Sequence, residues 1–471
     1  MPNKVKTRVF CKYCKGTLRS RQEIQQQAHN NCKIEINSYN TYESVVDWIK
    51  NLLINNENIT FDTDVSLDNL DETIIPEIIS MSLVDPINKV QYLPECISQL
   101  INLKSLIIRS IHLKSIPESI SNLINLTHLD LAINQLESIP DTIGKLTNLT
   151  HLVLTLNQLK TIPNTIGKLS NLKQLSLRSN QLTELPSSIG SLINLSRLHL
   201  DFNKFTSLPD LFGQIKDLDF LTLHHNNLAS LPESFGNLTK LRELNLDNNK
   251  LTTLPKSIGQ LKIGNLSVKN NSLFSLPETI GNLKNLHELY LENNSLSELP
   301  NSFQQLLNLR ILNLTANKFK IYPDVLYPLR NLTELKLDQN KLTELPSSIG
   351  NLISLKNLSL MNNKINTIPN SIGRLRSLTY LNIIKNPISS LPSSITDLIN
   401  LQSLVLNDTL LTELPESLNK LKNLKGLGLI GVPLKSLPVE IGKIKTLERI
   451  NLSKNSKIEI PKNLENKIYY C

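Results

Sequence analysis

The sequence predicts a right-handed α/β solenoid with a parallel concave sheet, preceded by a small module of different composition. Three observations predict it. Proline recurs at seventeen positions from Pro94 to Pro461, with fifteen intervals of 23 residues and one of 22 between Pro255 and Pro277. Leucines alternate with polar residues between the prolines, as in Leu129-Asp130-Leu131, which is the period of a strand with one buried face. An asparagine follows each such pair at a fixed offset, at positions 134, 157, 180, 203, 226, 249, 271, 294, 317, 340, 363, 386 and 455. Ile111, Thr409 and Val432 replace it near the two ends, where terminal units are expected to be atypical.

Length and composition fit this reading. A chain of 471 residues is too long for one ordinary core, since cores stop growing at roughly 250–300 residues. An array whose units touch only their neighbours has no such limit. Hydrophobic residues make up 40% and aromatics only 4%, so an aliphatic core is expected.

Each position of the unit Leu126–Leu146 has a physical role. Leu129 and Leu131 point inward from a short strand, and Leu126, Leu136, Ile139, Ile143 and Leu146 fill the coil. The Asn134 amide both donates and accepts, so it can satisfy turn backbone that no ladder reaches. Pro140 fixes φ and needs no backbone donor on the convex return, and Gly144 is expected to supply backbone freedom there. The 22-residue unit loses its residue between Leu261 and Ile263, on the convex side, so the strands should stay in register. The pattern L-x-x-L-x-L-x-x-N-x-L resembles the leucine-rich repeat and covers about sixteen units, residues 94–471, plus a degenerate one before Pro94. The form Leu185-Pro-x-x-Ile-Gly-x-Leu192 resembles the intracellular Ras-group members of that family. That resemblance implies a horseshoe-shaped cytoplasmic scaffold, in some members with small GTPases as partners.

Charge marks two boundaries before the array. Residues 1–33 carry a net +7, residues 34–93 a net −9 and the remainder +11, within a total of +9. In the basic segment, Cys11-Lys-Tyr-Cys14 and His29-Asn-Asn-Cys32 have the spacing C-x2-C-x14-H-x2-C. This resembles a short CCHC-type zinc finger, in which Cys11, Cys14, His29 and Cys32 would hold one structural zinc ion tetrahedrally. Free thiols in a basic tail are the alternative. A basic finger also admits a nucleic-acid-associated adaptor, because Lys and Arg neutralise phosphates. The acidic segment 34–93 reads as a linker and N-terminal cap with a helix at about 41–54, where Tyr42, Val45, Val46, Ile49, Leu52 and Leu53 fall at helical spacing.

No phosphate-cradling glycine loop, Gly-x-Ser-x-Gly elbow or His-Glu-x-x-His motif is present, so the expectation is a non-catalytic protein. The sequence also lacks an apolar run long enough to span a bilayer and a signal-peptide-like start, and its five cysteines form no disulfide framework; an intracellular, cytoplasmic site is expected. The triplets at Asn125, Asn148 and Asn331 match glycosylation acceptors, but they recur at the repeat's own spacing. A protein partner is expected on the outward strand positions, where Arg178, Arg197, His199, Asp201, Phe202, Phe220, His224, His225 and Tyr290 gather the residue types that usually anchor interfaces.

Overall fold

The computed structural model describes residues 9–10, 17–18, 44–55, 59–62, 75–84, 92–454 and 456–471. Two compact units divide the chain, Met1–Asn227 and Leu228–Cys471.

In the first unit β1 (Val9–Phe10) pairs antiparallel with β2 (Thr17–Leu18). Helix α1 (Val45–Asn55) buries Val45, Val46, Trp48 and Ile49. Ser44 Oγ accepts from the Asp47 amide at 3.3 Å, in the manner of an N-cap. The Val45 amide donates to Gln99 Oε1 at 2.8 Å, which ties α1 to the turn Glu95–Gln99 at the start of the repeats. Trp48 was absent from the apolar positions expected on this helix, yet it is one of the largest buried side chains.

Strand β3 (Ile59–Asp62) runs antiparallel to β4 (Ser80–Val84), covering an edge that would otherwise present unpaired backbone groups. From β4 the sheet is parallel: β5 (Ser105–Arg109), β6 (His128–Asp130), β7 (His151–Val153), β8 (Gln174–Ser176), β9 (Arg197–His199) and β10 (Phe220–Thr222) follow in chain order. The second unit repeats the arrangement in β11 (Glu243–Asn245), β12 (Asn265–Ser267), β13 (Glu288–Tyr290), β14 (Ile311–Asn313), β15 (Glu334–Lys336), β16 (Asn357–Ser359), β17 (Tyr380–Asn382), β18 (Ser403–Val405), β19 (Gly426–Gly428), β20 (Arg449–Leu452) and β21 (Ile468–Tyr470). The fold is solenoid-like in each unit.

The return arcs are 3₁₀ turns of mostly five residues. Asp141–Lys145 follows Pro140 (φ −68°), whose carbonyl accepts from the Ile143 amide at 3.1 Å. Proline suits that place because its missing N–H is one that a turn's start leaves unpaired. Gly144 serves differently from the expectation. Its φ is not positive; a Cβ there would meet the Thr165 carbonyl oxygen at 2.6 Å, so the glycine permits close approach of adjacent arcs.

The interior is mainly leucine and isoleucine, as expected, but Phe205, Phe212, Phe235, Phe303 and Phe319 are buried in it too. The asparagines form a ladder. Asn134 Nδ2 donates to the Ile108 and Leu131 carbonyls at 2.8 and 3.0 Å, while Oδ1 accepts from the Leu113 amide at 3.1 Å. The same three-way bonding recurs at Asn157, Asn203, Asn317 and Asn363. Asn455 lies outside the described residues.

A second asparagine ladder accompanies the first. Asn125, Asn148 and Asn331 donate through Nδ2 to the carbonyls of Ile101, Ile124 and Leu307, each at 2.9 Å. The repeat thus accounts for those asparagines by a specific bond.

Candidate functional site

Backbone strain sets one row of side chains apart. The residue before each ladder asparagine is left-handed: in the first unit Ile133 (φ 57°), Leu156 (56°), Ser179 (54°), Phe202 (55°) and His225 (54°). Backbone bonds run between members of the row and the adjoining coil: the Asn134 amide donates to the Leu156 carbonyl at 3.1 Å, Asn180 to Phe202 at 3.2 Å and Asn203 to His225 at 3.2 Å. Left-handed backbone costs an L-residue about 1–2 kcal/mol, and β-branched or bulky residues are rare there. In the second unit the same position is Asn248, Asn270, Asn293, Ala316, Gln339, Asn362, Lys385 and Asp408, mostly residues that tolerate it. There Asn270 Nδ2 donates to Asn248 Oδ1 at 2.9 Å, and Asn293 Nδ2 to Asn270 Oδ1 at 2.8 Å. The first unit instead exposes apolar surface, with Ile133 and Leu156 each 50% accessible and Phe202 39%. Sequence reasoning found Phe202 and His225 but missed Ile133 and Leu156. Their signal was an aliphatic residue where four other repeats carry Asn.

Beside this row the expected cluster assembles, with one correction. Asp201, expected to face outward, is 1% exposed. Its Oδ1 accepts from Thr222 Oγ1, and its Oδ2 lies 3.1 Å from Arg178 Nε and 3.5 Å from His224 Nε2. A short side chain two residues beyond the end of the strand at His199 folds back among its neighbours, so Asp201 orients the patch and offers no surface.

The other members are in contact. Phe202 stacks on His225 (centroids 4.3 Å apart, 15° between planes) and meets His224 edge-on at 5.3 Å. The Arg178 guanidinium lies 5.3 Å from the Phe202 ring centre, within range of a cation–π attraction. His199 tilts against Phe220 at 5.0 Å, and Arg197 is the register partner of Phe220. Three repeats earlier, His128 and His151 stack at 4.3 Å on register-paired positions.

Burial pushes the His199 imidazole below its usual range; Asp201 opposes this, while Arg178 and Arg197 add to it. Burial and then His128 lower His151 in the same way. Lowered in this way, His199 and His151 resist protonation more than a free imidazole would, beside exposed Arg178 and Arg197.

Tyr290 belongs to the second unit. Lys269 Nζ sits 4.3 Å over its ring, and its hydroxyl donates to Glu288 Oε2 at 3.1 Å. Burial, then the bond to Glu288, pushes its pKa up to about 12. Cys11, Cys14, His29 and Cys32 lie outside the described residues. Among the described residues no group of three His, Cys, Asp or Glu side chains is placed to hold a metal ion.

These features define a repeat protein whose parallel sheet carries aromatic, imidazole and arginine side chains on neighbouring coils. Family profiles agree: "Leucine-rich repeat region" matches residues 152–247 and 339–427, "Leucine rich repeat" matches 101–159 and 262–319, and a single repeat profile matches 240–261. A leucine-rich-repeat protein of Leptospira interrogans is 38% identical with a TM-score of 0.69, over 79% of this chain and 96% of that one. The chain belongs to the leucine-rich-repeat family. The functional domain of InlJ from Listeria monocytogenes is 25% identical (TM-score 0.59, 74% of this chain, 73% of that one). A plant peptide hormone receptor, RGFR1, shares the fold at 24% identity (TM-score 0.60, 84% of this chain, 78% of that one). No curated protein sequence matches the chain. The fold generally mediates protein–protein interaction.

Proposed function

We propose that this protein is a non-catalytic scaffold that binds a protein partner through the sheet face of its first unit, the face expected to be concave. The observation that carries this is the row Ile133, Leu156 and Phe202, where exposed apolar side chains occupy strained backbone beside the Arg178–Asp201–His224 cluster. Strain kept at exposed apolar positions points to use, since asparagine at the same place would relieve it. The partner surface should bring apolar side chains to Phe202 and Leu156 and a carboxylate to Arg197. Desolvated aromatic and arginine side chains are where interface energy usually concentrates.

The reading extends to a cytoplasmic location and, by resemblance to the Ras-group repeats, to a small GTPase as one partner class. Among the described residues no helix is long and apolar enough to cross a membrane. The second reading, a nucleic-acid-associated adaptor, rests on the +7 charge of residues 1–33. Steep loss of binding with salt is its signature.

The test is affinity capture from the source cells with the full chain and its variant Leu156→Asn/Phe202→Asn. Asparagine tolerates left-handed backbone, so the variant should melt at or above the wild-type temperature and yet lose its captured partner. Wild-type recovery of the partner by the variant would sink the assignment.

A further inference from the structure

The 22-residue repeat makes a site of its own in the second unit. It lacks the residue that is Lys240 in the repeat before it and the second-ladder Asn285 in the repeat after it: Leu283-Lys284-Asn285-Leu286 corresponds to Leu261-Lys262-Ile263. The ladder bond across the gap stretches, with Asn285 Nδ2 3.4 Å from the Lys262 carbonyl, against 2.8 Å from Asn308 to Lys284. The backbone absorbs the loss at Leu261, whose ψ is 154° where Leu238 and Leu283 have 56° and 66°. The strands keep register, Leu244 opposite Leu266 and Leu266 opposite Leu289. A surface cavity of about 780 Å³ lies beside the strand entrances, with the shortened repeat at one end and Ser354 at the other.

Glycine deepens it. Gly264 precedes β12 where neighbouring coils have Arg242, His287, Arg310 and Thr333, and a Cβ on it would lie 2.5 Å from the His287 ring. The imidazole leans over the glycine, held by a 2.6 Å contact between its Nδ1 and the Asn285 carbonyl. Around this floor stand Arg242, Lys262 and Arg310, all exposed, and no carboxylate lines the cavity. None of the three makes an ion pair among the described residues. The nearby carboxylates Glu288 and Glu334 are engaged on the sheet face, with Asn265 and Tyr290 and with Lys336.

We infer that this cavity is a binding site for a small polyphosphorylated molecule, held by Arg242, Lys262 and Arg310. Arginine and lysine unpaired over a concave floor suit phosphate oxygens, and the guanidinium fork can bond two at once. Spacing selects several phosphates over one. Arg242 and Arg310 enter three strands apart, roughly 15 Å at about 4.8 Å per strand, a span no single tetrahedral anion bridges. The volume lies within the ordinary range for small-ligand pockets, roughly 300–1,000 Å³.

Calorimetric titration of the full chain with inorganic tripolyphosphate in about 150 mM salt, where exposed charges are screened beyond about 8 Å, tests the assignment. Saturable binding at one site is expected, at least ~10-fold tighter than inorganic phosphate. The variant Lys262→Gln/Arg310→Gln should weaken it at least ~10-fold. Lys356→Gln/Lys425→Gln, which removes cations preceding β16 and β19 outside the cavity, should leave it unchanged. Inserting an asparagine between Lys262 and Ile263 restores the 23-residue spacing and should abolish binding with circular dichroism unchanged. Equal losses in the two glutamine variants, or no saturable binding by wild type, would overturn the site. Equal affinity for hexaglutamate would overturn the phosphate selectivity.

Discussion

At the residue scale, the sharpest division of labour is between each ladder asparagine and the residue before it. Asn317 is 6% exposed; its Oδ1 accepts from the Leu296 amide at 3.0 Å and its Nδ2 donates to the Leu291 carbonyl at 2.9 Å. Asn317→Leu keeps the volume but strands those backbone groups, so unfolding free energy should fall by about 1–3 kcal/mol in a urea titration. Ala316, its half-buried neighbour, has φ 54°, and Ala316→Asn should leave stability unchanged or slightly raised. Equal destabilisation by the two would mean that the ladder bonds are not what holds the turn. The asparagine was legible in the sequence because its side chain does the bonding and only that residue type both donates and accepts at that reach. Its left-handed neighbour was not. The requirement there falls on the backbone, and residues as unlike as Ile133, Ser179 and Lys385 all meet it at differing cost. Asp201 was misplaced for a related reason: its burial depends on Arg178 and Thr222, each contributed by an adjacent coil.

At the element scale, strand and arc were legible to different depths. Alternating leucines marked every strand, since period two with one buried face has few other readings. The regular prolines marked the arcs, but their 3₁₀ form and their cross-repeat caps were not visible. Those caps join residues about 23 positions apart, beyond any local pattern. Glu233 accepts from the Lys256 and Ser257 amides at 3.0 and 2.9 Å, and Glu278 from Asn301 and Ser302 at 3.3 and 3.0 Å. Backbone hydrogen bonds, from Ser257 and Ser302 first, hold both carboxyls below the ordinary 4.5. A depressed carboxyl contributes stability that is present above its unfolded pKa and lost as pH falls through the folded one. The acid limb of a melting-temperature profile should therefore begin to fall near pH 4.5, and Glu233→Gln/Glu278→Gln should flatten its upper part. A variant with the same acid limb as wild type would show that these caps do not couple to folding.

At the scale of the whole molecule, the repeat array was legible almost entirely, while the chemistry before it was legible only as ligand spacing. A repeat reports itself many times over, so a few atypical units such as those at Thr409 and Val432 leave the period readable. A single C-x2-C-x14-H-x2-C motif occurs once, and spacing alone does not display a bound metal. We propose zinc on chemical grounds: Cys11, Cys14, His29 and Cys32 would supply four soft or borderline ligands, and the +7 charge of the segment would offset the excess negative charge of three thiolates on Zn²⁺. Metal binding in such small modules is coupled to their folding, whereas each repeat is held by its neighbours. The two should therefore be separable in one full-length protein. Elemental analysis of the chain purified without chelator should give one zinc per molecule. Cys11→Ser/Cys14→Ser should lose that zinc and leave the thermal unfolding of the repeats unchanged. Metal-free wild type would sink the finger, and a variant whose repeats melt well below wild type would show that the metal supports the array instead of an independent module.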